Sequence, residues 1–104
     1  MAKSESHKRA QAKAAGRNGQ TEVPLQGGRR LDAQSASGHR ATEIERSGTK
    51  QGLEAACRRL KASGATQHVL QVPQQDMKKA CEAMRKTGTT GSVKNMCGSK
   101  RRSV

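Results

Sequence analysis

The chain has 104 residues with no Phe, Trp or Tyr, is 31% hydrophobic and 28% charged, and sets 21 Lys and Arg against 8 Asp and Glu for a formal net charge of +13. That length allows one small domain, whose core must be built from Leu, Val, Ile, Met, Ala and Cys. The missing rings exclude single-strand recognition by base stacking. No apolar run approaches the ~18 residues of a membrane span, and Met1 to Gln20 lacks the apolar centre of a signal peptide, so the expectation is a soluble, cytoplasmic protein with no membrane partner.

Ser4 is a candidate N-cap for a run of Ala, Lys, Arg and Gln that ends at Gly16-Arg17-Asn18-Gly19. Its apolar face is only alanine, so residues 1–20 are read as a basic helix or arm that packs weakly. From Thr21 to Ser47 the period falls to two. TEVPLQ, RRLDAQS and ATEIER, divided by Gly27-Gly28 and Ser37-Gly38, predict a three-stranded antiparallel meander. Alternation puts Val23, Leu25, Leu31, Ala33 and Ile44 on an apolar side and Glu22, Arg30, Asp32, Gln34, Glu43 and Glu45 on the other. Pro24 assigns the first strand to an edge.

Past Thr49, a plausible cap, Leu53, Ala56, Cys57 and Leu60 recur at helical spacing up to Gly64. A strand over His68 to Val72 follows. Met77, Ala80, Cys81 and Met84 mark a second amphipathic helix stopped by Gly88, and a last strand runs over Ser92 to Met96. The fold class is therefore α/β, a small mixed sheet in the order α-β-β-β-α-β-α-β: an antiparallel meander, then two helix-strand units. The core is residues 21–97, and 98–104 are expected to be a disordered basic tail. The two units align without gaps, 53–72 on 77–96, sharing Ala56/Ala80, Cys57/Cys81, Gly64/Gly88, Thr66/Thr90 and Val69/Val93. Their crossover should be parallel and right-handed.

Three cysteines, an odd number without a C-x-x-C pair, read as reduced thiols. Cys57 and Cys81 are expected to pack as small hydrophobes. His7, His39 and His68 fall at no zinc-ligand spacing relative to the cysteines, and neither G-x-G-x-x-G nor a Walker pattern is present.

A positive excess of this size attracts polyanions, so nucleic acid is the expected partner, DNA ahead of RNA. Arg29, Arg30, Arg46, Arg58, Arg59, Lys78, Lys79, Lys100, Arg101 and Arg102 are the expected phosphate contacts, with steep salt dependence. Against that background Glu22, Asp32, Glu43 and Glu45 gather in the meander, where like charges repel unless something positive lies among them. Ion pairs with Arg29, Arg30, Arg40 and Arg46 would suffice. Magnesium held by such carboxylates would also suffice, and it activates water at a phosphoryl group.

The element order, with Asp32 on the second strand of GGRRLDAQSASGHRATEIER and Glu43-Ile44-Glu45 on the third, resembles the core of the PD-(D/E)XK, or restriction-endonuclease-like, nuclease superfamily. Archaeal Holliday junction resolvases come closest in size. In that family the third strand carries Glu-x-Lys; here Glu45 stands at the lysine's position, leaving Lys50 or Arg46 to take its role. Glu5 is the only match for an acid on the leading helix. The resemblance implies a magnesium-dependent endonuclease in which Asp32 and Glu43 hold the metal and Asp32, Glu43, Glu45 and Lys50 are the catalytic residues, and the small size suggests a homodimer. Two other readings stay open: a non-catalytic DNA- or RNA-binding protein on a similar fold, and a basic chain that orders only on RNA.

Overall fold

In the computed structural model, which describes residues 3–104, Ser4 accepts a hydrogen bond from the His7 amide and starts helix α1 (Glu5–Ala15). Strands β1 (Gln20–Pro24), β2 (Arg30–Gln34) and β3 (Arg40–Ile44) then form the antiparallel meander. Thr49 caps helix α2 (Lys50–Ala62) by accepting from the Gly52 amide, and β4 (Gln67–Gln71) returns parallel to β3. Helix α3 (Met77–Thr87) ends on Gly88 in the left-handed region that glycine tolerates best, and β5 (Ser92–Lys94) lies parallel to β4. The mixed α/β class and the element order are those read from the sequence.

The tail is a correction. Arg101–Ser103 form β6, antiparallel to β5, so the six strands lie in sequence order across one sheet. Gly91 and Val104 exchange amide-to-carbonyl bonds at 3.1 and 2.8 Å, which ties down a segment whose composition suggested disorder.

Helices α2 and α3 pack together over the apolar core, in which Leu31, Leu53, Cys57, Leu60, Leu70 and Met84 are buried. Leu70 faces that core. Its neighbour Gln71 lines a hollow with Ala10, Lys13 and Ala14 of α1, so α1 covers the opposite face. Strands β2 and β3 are therefore covered on both faces, contrary to expectation, while β1 stays largely exposed at the edge. Glu43 shares the α2 face with Leu70, its register partner, while Ile44 is buried on the other face. Cys57 and Cys81 are buried thiols as expected, and Cys97 is exposed.

Candidate active site

Strands β2 and β3 pair at Ala33 with Thr42 and Gln34 with Ala41, and then the ladder opens. Two carboxylates fill the opening. The Asp32 amide donates to Glu43 Oε2 at 2.7 Å, and the Ile44 amide donates to Asp32 Oδ2 at 2.8 Å. Each side chain thus takes the place of a backbone carbonyl that the parting strands no longer offer. Both acids are buried, 5% exposed for Asp32 and 1% for Glu43.

Their remaining oxygens meet opposite helix layers. Asp32 Oδ1 accepts from Lys3 Nζ at 2.6 Å and Gln11 Nε2 at 3.0 Å, and lies 3.2 Å from His7 Nε2. Lys3, just before the helix, and His7 and Gln11 on it recur every four residues, which makes them one stripe. Glu22 joins from β1: its Oε2 accepts from Lys3 Nζ at 2.5 Å and from Gln11 Nε2. Glu22 has φ +53, a left-handed conformation that costs a side-chain-bearing residue about 1–2 kcal/mol. On the other face Glu43 Oε1 accepts from Arg59 Nε of α2 at 2.6 Å, while Glu45 lies 4.0 Å from the same guanidinium and accepts from the Ser47 amide.

The two central carboxyls are pushed apart in acidity. Burial acts to raise Asp32, but hydrogen bonds from Lys3 and the Ile44 amide, with the Lys3 charge and His7, outweigh it and hold Asp32 below its ordinary value. For Glu43, burial and the nearby Asp32 charge prevail over Arg59 and raise it to about 7. Burial disfavours the Lys3 ammonium, yet hydrogen bonds to Asp32 and Glu22 raise it above the usual lysine value. The seam holds a firmly ionised acid, an acid poised at neutrality and a firmly protonated amine.

Asp32 and Glu43 thus meet, but from opposite faces of the sheet and not on the one polar side that alternation predicts, and Glu45 joins on the Glu43 side at Arg59. Lys50 does not join them. It begins α2 on the side facing α3, where Lys86 lowers its pKa and Lys79 and Glu82 line the same hollow. The lysine at the acids is Lys3, from a segment expected to pack weakly; its four-residue spacing to His7 and Gln11 was the available signal. Arg46 donates to Ser6 on the first turn of α1, at the rim, and Glu5 stays exposed beside Lys8.

The expected phosphate contacts divide. Arg59 is engaged by Glu43 and is withdrawn from that list. Arg58 lies 3.6 Å from Glu54, Arg29 donates to its own turn at Gln26, Arg30 is exposed, and Lys79 reaches the Gly48 carbonyl. Lys78, Lys100, Arg101 and Arg102 line one hollow of about 530 Å³ whose lining holds no acid. Among the described residues no three His, Cys, Asp or Glu side chains form a ready-made metal cluster. No family model, curated protein or solved structure matches the chain.

Proposed function

We propose that this protein binds nucleic acid and hydrolyses its phosphodiester backbone at the acidic seam, with a divalent cation such as magnesium. The observation that carries this reading is the convergence of Glu22 and Asp32 on one positive centre, Lys3 Nζ, in a chain of net charge +13. Magnesium binds through one or two carboxylates and fills its shell with water and substrate phosphate, so the oxygens of Asp32 and Glu22, with Glu43 behind them, suit it. It would supply an activated water and offset charge on the phosphoryl group.

The chain's own groups have distinct tasks. Asp32 stays ionised across the neutral range. Lys3 carries a fixed positive charge to where the substrate's anionic oxygens gather. Glu43, with a pKa of about 7, can accept or return a proton near neutrality, and Arg59 fixes its orientation. The α-β-β-β-α-β order, with Asp32 and Glu43 on consecutive strands, supports the PD-(D/E)XK comparison, and Lys3 offers the lysine that the third strand lacks.

A second reading rests on a specific observation: each oxygen of Asp32 and Glu43 already has an amide or cationic partner, so the seam can also be a purely structural device in a binding protein. Incubation of branched, duplex and single-stranded DNA with magnesium decides between them. Cleavage that disappears in Asp32→Asn, with binding in EDTA retained, supports hydrolysis; asparagine can still accept the Ile44 amide. Binding without cleavage of any substrate by the unaltered protein leaves only the second reading.

A further inference from the structure

Helix α1 packs chiefly on β1, β2 and β3 and reaches Gln71 of β4, which is buried, with its last turns, so the β5–β6 edge of the same face lies beyond its main contacts. Register puts Ile44, Gln71, Lys94 and Arg101 in one row across four neighbouring strands. Arg40, four residues before Ile44 on β3, lies on this face as well and lines a hollow with Arg101, and Lys13 approaches from the last turn of α1. Lys94 and Arg101 are directly opposite in an antiparallel pair, where like charges destabilise a sheet. Among the described residues none of Lys13, Arg40, Lys94 and Arg101 has an acid within ion-pair distance. Burial lowers the Lys94 ammonium, and the charges of Arg101, Arg40 and Lys13 lower it further.

We infer that the cationic β5–β6 edge of this face is where the phosphate backbone of duplex nucleic acid docks. An uncompensated cation cluster on a broad sheet surface is stabilised when a polyanion covers it, because phosphate contacts release condensed counterions. The chemistry favours a duplex over a single strand: the chain has no aromatic ring to stack unpaired bases, and the surface offers charges and hydroxyls, from Ser92 and Ser103, rather than rings. The row spans three interstrand steps, ~14 Å. Its inner end is Ile44, buried and with an amide that holds Asp32, so the cationic edge and the Asp32 side of the acidic seam share one face of the sheet. The inference rests on the proposed nucleic-acid function and adds where the substrate lies. Of the four cations, only Arg101 was expected from the sequence to contact phosphate; Arg40 was expected to pair with the acids of the meander and, among the described residues, does not.

The test is duplex binding by fluorescence anisotropy in EDTA, where binding is read apart from cleavage. The triple variant Arg40→Gln, Lys94→Gln, Arg101→Gln is set against Lys61→Gln, Arg85→Gln, Lys86→Gln, which removes equal charge from the α2–α3 side. The first should lose affinity by about tenfold or more and flatten the log–log salt slope by about three, near 0.9 per phosphate contact; the second should change by less than about threefold. Circular dichroism melts check both folds, and the exposed Arg101→Gln alone, with a slope change of about one, serves if the triple variant unfolds. Equal losses in the two triples, or unchanged affinity in the first, overturn the docking surface while leaving nucleic-acid binding intact. Failure of the unaltered protein to bind any duplex, or preference for anionic phosphatidylserine vesicles over duplex, overturns both.

Discussion

Replacing Glu43 by Gln should remove a pH dependence of stability that one carboxyl builds into the fold. The Glu43 pKa rises from an ordinary 4.5 to about 7 on folding, so the folded chain holds that proton more tightly than the unfolded one. The stabilisation is therefore fully present below the unfolded value and is lost as pH rises through the folded one. At 1.36 kcal/mol per pH unit the shift amounts to about 3 kcal/mol, a large share of the stability of a domain this size. Asp32 shifts downward from its ordinary 3.8, so its contribution is lost only in stronger acid, outside this window. Gln keeps an oxygen for the Asp32 amide but has no proton to lose. Urea unfolding from about pH 4.5 to about pH 8 should show the unaltered protein losing about 3 kcal/mol relative to Glu43→Gln. Parallel stability curves for the two would refute the reasoning, because they would mean that Glu43 ionises in the fold as it does in the unfolded chain.

Arg59→Met strips the cation from Glu43. Full burial would make that loss worth 3–5 kcal/mol, but Arg59 is 26% exposed on its side chain and Glu43 can take up a proton, so about 2 kcal/mol is expected near pH 7, shrinking toward pH 5, by urea midpoint. Gly91→Ala should cost about 3 kcal/mol or more in a thermal melt, since Gly91 has φ +149 and a methyl there would overlap the His68 carbonyl. One thiol of three should react with a disulfide reagent in the native protein: Cys97, exposed and with its pKa lowered first by its hydrogen bond to Ser99. Cys57 and Cys81 should react only on unfolding. Amide exchange followed by mass spectrometry should show α1 opening before α2 and α3, because Gln11 and Ala15 are its only buried residues; equal protection would contradict a polar, loosely held layer.

What could be read from the sequence was local. Met77, Ala80, Cys81 and Met84 sit at helical spacing and all reach the core, Thr49 caps α2, and Gly88 closes α3 in the left-handed region. What could not be read depends on distant partners. Alternation correctly separates Glu43 from Ile44, but assigning one face to water assumed that α1, with its alanine-only apolar side, would not cover it. Instead α1 docks through polar groups, Gln11 and His7 on carboxylates, which hydrophobic periodicity does not register. The basic sequence after Gly98 becomes a strand for the same reason, since its partners lie on β5 and Gly91. The acids were recognisable as a cluster, and Asp32 with Glu43 as its centre. Lys3 was not, because only the return of the chain's first residues over β2 brings it there.

The seam is a costly way to join two strands. A ladder interrupted at Asp32 and Glu43, a left-handed Glu22, and carboxylates buried in place of apolar side chains each cost free energy, and apolar replacements of similar volume commonly serve a fold as well or better. Their concentration at one place is what a site under a second constraint displays. The charge arrangement points the same way. Four of the eight acids, Glu22, Asp32, Glu43 and Glu45, stand at the seam, so the remaining surface sets four acids against most of the 21 Lys and Arg and draws anions from all sides. A bare acidic seam would repel those anions on arrival. With Lys3 and Arg59 held directly against its carboxylates, the seam's charge is compensated from within.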